Sequence, residues 1–200
     1  QAVAPAHTAN AEFYKDYTFD TIFFGGGTPS VLSSDQIADI INCLHKNYSI
    51  NNGAEVNMEA NPEDFVEKKI SDYSSAGINR LSLGIQSFRD SELKFLTRQH
   101  TAEEAERIVN EAVNIMDNVS VDIIYSLPSQ SISELDYSLS RAAALGVKHI
   151  SAYTLTYEER TVLYKSLQKN LFKKNTDNIE AELYSFVSEK LISNGFQHYE

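Results

Sequence analysis

The chain has 200 residues, 42% of them hydrophobic and 10% aromatic, which is enough apolar material for one sizeable core. A formal charge of −11 and a pI near 4.9 argue against nucleic acid and anionic membranes as partners, and no apolar run reaches the length of a membrane span. A single cysteine excludes an internal disulfide framework, and with no signal peptide in view the expected setting is the cytoplasm.

Residues 1–11 are Ala-rich, contain Pro5 and show no period, so a poorly ordered or non-contiguous segment is expected there. A folded core, truncated at both ends, is expected over 12–200. Tyr14, Tyr17 and Phe19 read as packing aromatics. Strand-like runs then fall at 20–25, 55–60, 80–86, 119–125 and 149–155, separated by segments with apolar residues at helical spacing. The first run, Thr21-Ile22-Phe23-Phe24, stops in Gly25-Gly26-Gly27 and turns through Thr28-Pro29-Ser30 towards a helix. Three glycines in a row cost backbone entropy and add no packing. They belong either to a tight turn or to a place where a ligand lies against bare N–H groups.

The helices are announced by their caps. Ser33 with Gln36, Thr101 with Glu104, and Ser131 with Glu134 have capping-box spacing, and Asp177 with Glu180 resembles it. Asn61-Pro62-Glu63 places a cap before a first-turn proline. Apolar stripes follow at Ile37, Ile40, Ile41 and Leu44, at Ala105, Ile108, Val109, Ala112 and Val113, and at Ile179, Leu183, Phe186, Val187 and Leu191. Cys43 lies within the first of these helices and reads as packing. Gly77, Gly146 and Gly195 follow the helices as stops.

A strand–helix alternation repeated five times is the pattern of a parallel α/β fold. The strands carry one polar face. Leu81, Leu83 and Ile85 alternate with Ser82, Gly84 and Gln86; Val56 and Met58 alternate with Asn57 and Glu59; Val119, Val121 and Ile123 alternate with Ser120 and Asp122. A closed barrel fills its interior with bulky branched residues. Small and polar residues there predict an incomplete, wider barrel around a polar ligand.

In such folds ligands sit at the carboxyl ends of the strands. The polar residues expected there are Gly25 to Thr28, Glu59, Gln86, Asp122 and Tyr125, with Arg98 in the helical stretch that follows the strand at 80–86. Two carboxylates, an amide, a guanidinium and bare backbone suit a zwitterionic ligand with a ribose. Plainer roles are open for each: Glu59 pairing with Arg80 or Arg98, Asp122 capping a loop, Gln86 a satisfied interior amide, Arg98 on the surface. The histidines lack metal-ligand spacing, and His100 and His149 read as structural.

Several strings together resemble the radical S-adenosylmethionine proteins of the oxygen-independent coproporphyrinogen III oxidase family. They are Phe23-Phe24-Gly25-Gly26-Gly27-Thr28-Pro29-Ser30, Glu59-Ala60-Asn61-Pro62, the run from Asn79 to Phe88, the run from Arg98 to Ala105, the run from Val121 to Pro128, and the run from His149 to Tyr153. The likeness covers roughly residues 12–200 and is nearer to the haem chaperone branch than to the oxidase proper. It implies a partial (β/α)6 TIM-like barrel, S-adenosylmethionine, a [4Fe–4S] cluster, an electron donor, and haem or a porphyrinogen as partner. By family position Gly26, Gly27 and Thr28 would meet the cofactor's amino-acid end. Glu59, Gln86, Arg98 and Asp122 would complete its pocket, with Asp122 at the ribose.

In the oxidase the implied chemistry is hydrogen abstraction from a propionate by a 5′-deoxyadenosyl radical; in the chaperone it is haem transfer. The family's three cluster cysteines are absent, since Cys43 stands alone, and the first strand and cluster loop are expected to be missing from the chain. Ser126 and Ser129 stand where the family leads one to expect glycine. The alternative is a metal-free barrel lyase or epimerase using Glu59 and Asp122.

Overall fold

The computed structural model describes residues 11–65 and 69–199, so the expectation for the first ten residues lies outside them. Five strands alternate with helices: β1 Thr18–Phe24, α1 Ser34–Asn47, β2 Ser49–Ala60, α2 Lys69–Ser75, β3 Arg80–Gln86, α3 Asp90–Phe95 and α4 Ala102–Ile115. They continue as β4 Asn118–Tyr125, α5 Ile132–Ala144, β5 His149–Thr154, α6 Val162–Gln168 and α7 Asp177–Ser193. The strands form one parallel sheet in the order β1-β2-β3-β4-β5. Two compact units divide the chain, one running to Gly84 with Ile108–Ser120, the other holding Ile85–Arg107 and everything from Val121.

In the first unit the register sets the faces. Ile22 pairs with Val56, Phe24 with Met58, Met58 with Leu81 and Ala60 with Leu83, so these apolar side chains share one side and are largely buried. Phe23, Asn57, Glu59, Arg80 and Ser82 fall on the other side by the same pairing. Strand β2 begins six residues earlier than its apolar alternation indicates, at Ser49 rather than 55. Its first residues pair with Thr18 and Phe19, and the register shifts before Thr21 meets Glu55. Ser-Ile-Asn-Asn-Gly carries no period that would mark this half as strand. Helix α1 is held by the expected Ser33–Gln36 box and buries Ile37 and Ile41.

In the second unit the Ser131–Glu134 and Thr101–Glu104 boxes both close as expected. The cap of α7 corrects the expectation: Thr176, not Asp177, is the N-cap and accepts from Ile179 N–H. Asp177 is instead the first helical residue, where a carboxylate suits the positive helix end. Helix α7 buries Leu183 and Val187, while Ile179 of the expected stripe is exposed. Cys43 is half-buried on α1.

Candidate functional site

Beyond β1 the first unit turns through its glycines. Gly26 and Gly27 have φ of 78° and 58°, a region that L side chains rarely adopt, and a Cβ at either would meet no atom within 4 Å. Both are exposed. The positive φ alone accounts for glycine at both positions, and no neighbouring atom closes the turn off. Gly25 differs. A Cβ there would lie 2.1 Å from Phe23 Cε1, so the ring of Phe23 occupies the space a side chain would take. Gly26 N–H donates to Glu59 Oε2 at 3.3 Å, which joins two of the candidate residues. Thr28 is half-buried at the end of the turn.

Ser30, fully buried, anchors this turn from behind. Its hydroxyl donates to Asp64 Oδ2 at 2.5 Å. Its carbonyl accepts from Lys69 Nζ at 2.6 Å and from the Tyr73 hydroxyl at 2.8 Å, and the same hydroxyl lies 2.7 Å from Leu32 O. Burial, and then the negative charge of Asp64, push the Tyr73 phenol up to about 12. Lys69 and Tyr73 lie one turn apart on α2. The sequence offers no signal for them beyond helical spacing, because their partners are backbone carbonyls 39 and 43 residues away.

Arg80 pairs with Glu55 at 2.9 Å, so the expected Arg80 partner of Glu59 is already engaged elsewhere. Asn118 Nδ2 also donates to Glu55, at 3.3 Å, and Ser120 bonds Ser82 at 3.0 Å. The buried Asn57 Oδ1 has no hydrogen-bond partner. The polar face read from the sequence is therefore real, and it is a hydrogen-bonded layer rather than a set of isolated groups.

In the second unit, Gln86 ends β3 buried and with φ of 70°, an unusual conformation for a residue other than glycine. Asp122 is half-buried in β4. Arg98 lies in the turn between α3 and α4 rather than on a helix, because Thr97 before it adopts φ of 58° and stops α3. Tyr125 is buried, and its carbonyl accepts from Leu155 N–H. Ser126 and Ser129 both have φ of 62°, which is the physical reason glycine is expected there. His100 is buried with Nε2 3.1 Å from Ile85 O, a structural role as expected. His149 Nε2 lies 2.6 Å from the Tyr199 hydroxyl. Among the described residues no group of acidic, His or Cys side chains has the arrangement of a metal site. A cavity of about 910 Å³ between β5 and α7 has His149, Tyr153 and Val187 in its walls; of the residues expected at the strand ends it includes Tyr125 but none of Gly26, Gly27, Thr28, Glu59, Gln86, Arg98 and Asp122. Its walls lack the bare backbone of the glycine turn, which is the better ligand site on chemistry.

The chain belongs to the radical SAM superfamily, whose family model matches residues 9–142. More particularly, it is 34% identical over 182 residues to the heme chaperone HemW of Bacillus subtilis, covering 90% of this chain and 48% of that protein. It is 35% identical over 181 residues to the mitochondrial radical S-adenosyl methionine domain-containing protein 1 of Danio rerio, covering 90% and 41%. Among solved structures, the coproporphyrinogen III oxidase HemN of Escherichia coli superposes with a TM-score of 0.83 at 23% identity, over 97% of this chain and 45% of that one. The fold is thus the partial (β/α) barrel expected. The chain spans about half the length of the curated relatives it matches. The metal-free lyase or epimerase alternative built on Glu59 and Asp122 does not survive this membership.

Proposed function

We propose that this chain is the S-adenosylmethionine-binding core of a haem-handling protein of the HemW kind. The observation that carries the reading is the open glycine turn with the Glu59 carboxylate on its Gly26 N–H. The arrangement suits a zwitterionic amino-acid end. The N–H groups of Gly27 and Thr28 would meet its carboxylate, and Glu59, exposed and one hydrogen bond from the turn, would accept from its ammonium. In the second unit, Gln86, Arg98 and Asp122 are proposed as cofactor-binding residues on the strength of the family likeness, with Asp122 accepting from ribose hydroxyls. Bound S-adenosylmethionine supplies a sulfonium centre open to reductive cleavage.

The [4Fe–4S] cluster is a different case. One cysteine, half-buried on α1, cannot replace the three thiolates such a cluster needs. No step is derived through it from these residues, and its ligands and electron donor belong to the full-length protein. Haem is proposed as the cargo because relatives 30–39% identical to this chain are heme chaperones by name. A porphyrinogen is the competing partner, favoured only by the shared fold of the oxidase. A cytoplasmic setting is part of the proposal, supported by a composition with a single cysteine. Among the described residues no helix is long and apolar enough to cross a membrane.

The test uses the full-length protein, reconstituted anaerobically with iron and sulfide. Its reduced electron paramagnetic resonance spectrum is recorded with and without S-adenosylmethionine, and haem is then titrated by absorbance alongside an assay for porphyrinogen decarboxylation. A cofactor-sensitive cluster signal, stoichiometric haem and no decarboxylation are expected. A signal indifferent to the cofactor sinks the reading, and decarboxylation without haem binding replaces the chaperone by the oxidase.

A further inference from the structure

We infer that Glu92, which lies outside the candidate set, is a positioning residue that holds Gln86 for the cofactor; this rests on the reading that Gln86 touches S-adenosylmethionine. The starting point is an outlier. Gln86 is buried and in the left-handed region, a conformation that persists only where its surroundings over-determine it. The surroundings are unusual. The next residue, Ser87, is fully buried, and its hydroxyl donates to Glu92 Oε2 at 2.5 Å. The same Ser87 oxygen accepts from Arg89 N–H at 3.0 Å, and Phe88 N–H donates to Ser138 Oγ at 3.2 Å.

Glu92 is itself buried, with 8% exposure, a costly place for a carboxylate. Its other oxygen, Oε1, accepts from Gln130 Nε2 at 3.0 Å and lies 3.6 Å from Arg89 Nε, a guanidinium it shares with Glu134, 2.6 Å from Arg89 Nη2. Gln130 belongs to the loop after β4, the loop that begins with the strained Ser126 and carries the strained Ser129. One carboxylate on α3 thus ties the loop after β3 to the loop after β4. An apolar residue there would leave the buried Ser87 hydroxyl and Gln130 amide without an acceptor, whereas the two carboxylate oxygens serve both loops at once. Asn175 braces the second loop from the far side through Ser126 Oγ and Leu127 O, both at 3.1 Å. Gln86 sits one residue from the clamp.

The experiment compares Glu92→Gln, Ser87→Ala and the double variant with the wild type and with Gln86→Ala, in the reconstituted full-length protein. S-adenosylmethionine affinity is measured by calorimetry and stability by urea midpoint. Glu92→Gln keeps the shape but turns an NH2 towards either Ser87 or Gln130. Arg141→Gln, which breaks the ion pair to Glu106 and touches no candidate residue, controls for destabilisation alone. Glu92→Gln and Ser87→Ala are each expected to weaken the cofactor about tenfold, the range seen when a supporting residue behind a ligand is lost. The double variant is expected to lose less than the sum of the two single losses, because the Ser87–Glu92 contact is shared by both, and a fully additive loss overturns the inference. Wild-type affinity in Glu92→Gln, or a loss no larger than that of an equally destabilised Arg141→Gln, overturns the inference. If Gln86→Ala itself binds like the wild type, the reading of Gln86 has failed instead, and the two failures are distinct.

Discussion

Ser126 and Ser129 share a backbone conformation but not an environment, and the difference decides what glycine would do at each. Both pay the left-handed penalty of an L side chain, about 1–2 kcal/mol, against the roughly 0.5–1 kcal/mol that glycine loses in unfolded-chain entropy. Ser129 is exposed, so Ser129→Gly is expected to stabilise by about 0.5 kcal/mol. Ser126 is buried and its hydroxyl takes a hydrogen bond from Asn175, worth about 1 kcal/mol, so Ser126→Gly is expected to be neutral or destabilising. Urea midpoints should rank Ser129→Gly above the wild type and Ser126→Gly at or below it; the reverse order would refute the account. At the glycine turn the signs invert. Gly26→Ala has room for its methyl but not the backbone for it, and should cost about 1 kcal/mol while reducing S-adenosylmethionine affinity at least tenfold in the calorimeter. The motif residues were legible because φ beyond zero leaves a trace in the sequence as glycine. Gln86 and Thr97 were not legible as strained residues, since neither is a residue type that marks such a conformation.

The same contrast holds for elements. Strands and helices were readable where an apolar period and a cap coincide, as for α1 behind Ser33 and α4 behind Thr101. Reading failed where pairing alone makes the element, as in the first half of β2, or where a hydroxyl one residue earlier captures the cap, as at Thr176. Helix α2 shows what no sequence pattern carries, because its Lys69 and Tyr73 act on carbonyls of the glycine turn. Tyr73→Phe leaves the Ser30 and Leu32 carbonyls short of a donor and should cost about 1–3 kcal/mol, read from urea midpoints at neutral pH. The phenol's folded value of about 12 lies above its unfolded value. Its contribution is therefore complete below the ordinary tyrosine range and is lost as pH rises through the folded value. Acid works through the caps. The Ser131 backbone N–H, then the Ser131 hydroxyl, hold Glu134 below the usual carboxylate range, with Arg89 a lesser cause. Thr101 does the same for Glu104. Folded values below unfolded ones mean that this stability is present above about pH 4.3 and fades as pH falls further. Glu134→Gln, which removes the titrating group itself, should flatten that acid slope in midpoints measured between about pH 3 and pH 7; an unchanged slope would show that Glu134 contributes nothing to it.

For the molecule as a whole, the polar strand faces told more than the helices did. They distinguish an open barrel from a closed one, and Ser82–Ser120 and Glu55–Arg80–Asn118 show that layer built and bonded. What they left unread is how separable the two cofactors are. If the glycine turn binds S-adenosylmethionine through its own N–H groups and Glu59, binding should survive in these 200 residues without a cluster, because one cysteine cannot assemble one. Ligand that binds only the folded state adds RT ln(1 + [L]/Kd), about 2.7 kcal/mol at a hundredfold excess over Kd. For a chain of this size that corresponds to a rise in melting temperature of roughly 5–10 °C. Titrating the 200-residue chain with S-adenosylmethionine under anaerobic conditions should therefore raise the melting temperature along that logarithmic curve, with iron and sulfide staying well below stoichiometric occupancy. Glu59→Gln should shift the curve to about tenfold higher concentration without lowering the unliganded melting temperature, since Glu59 is exposed and holds only one long hydrogen bond. A melting temperature that does not respond to the cofactor in the wild-type chain would mean that the open iron of the cluster, rather than the glycine turn, supplies most of the affinity, and the turn would then only orient an amino-acid end already captured elsewhere.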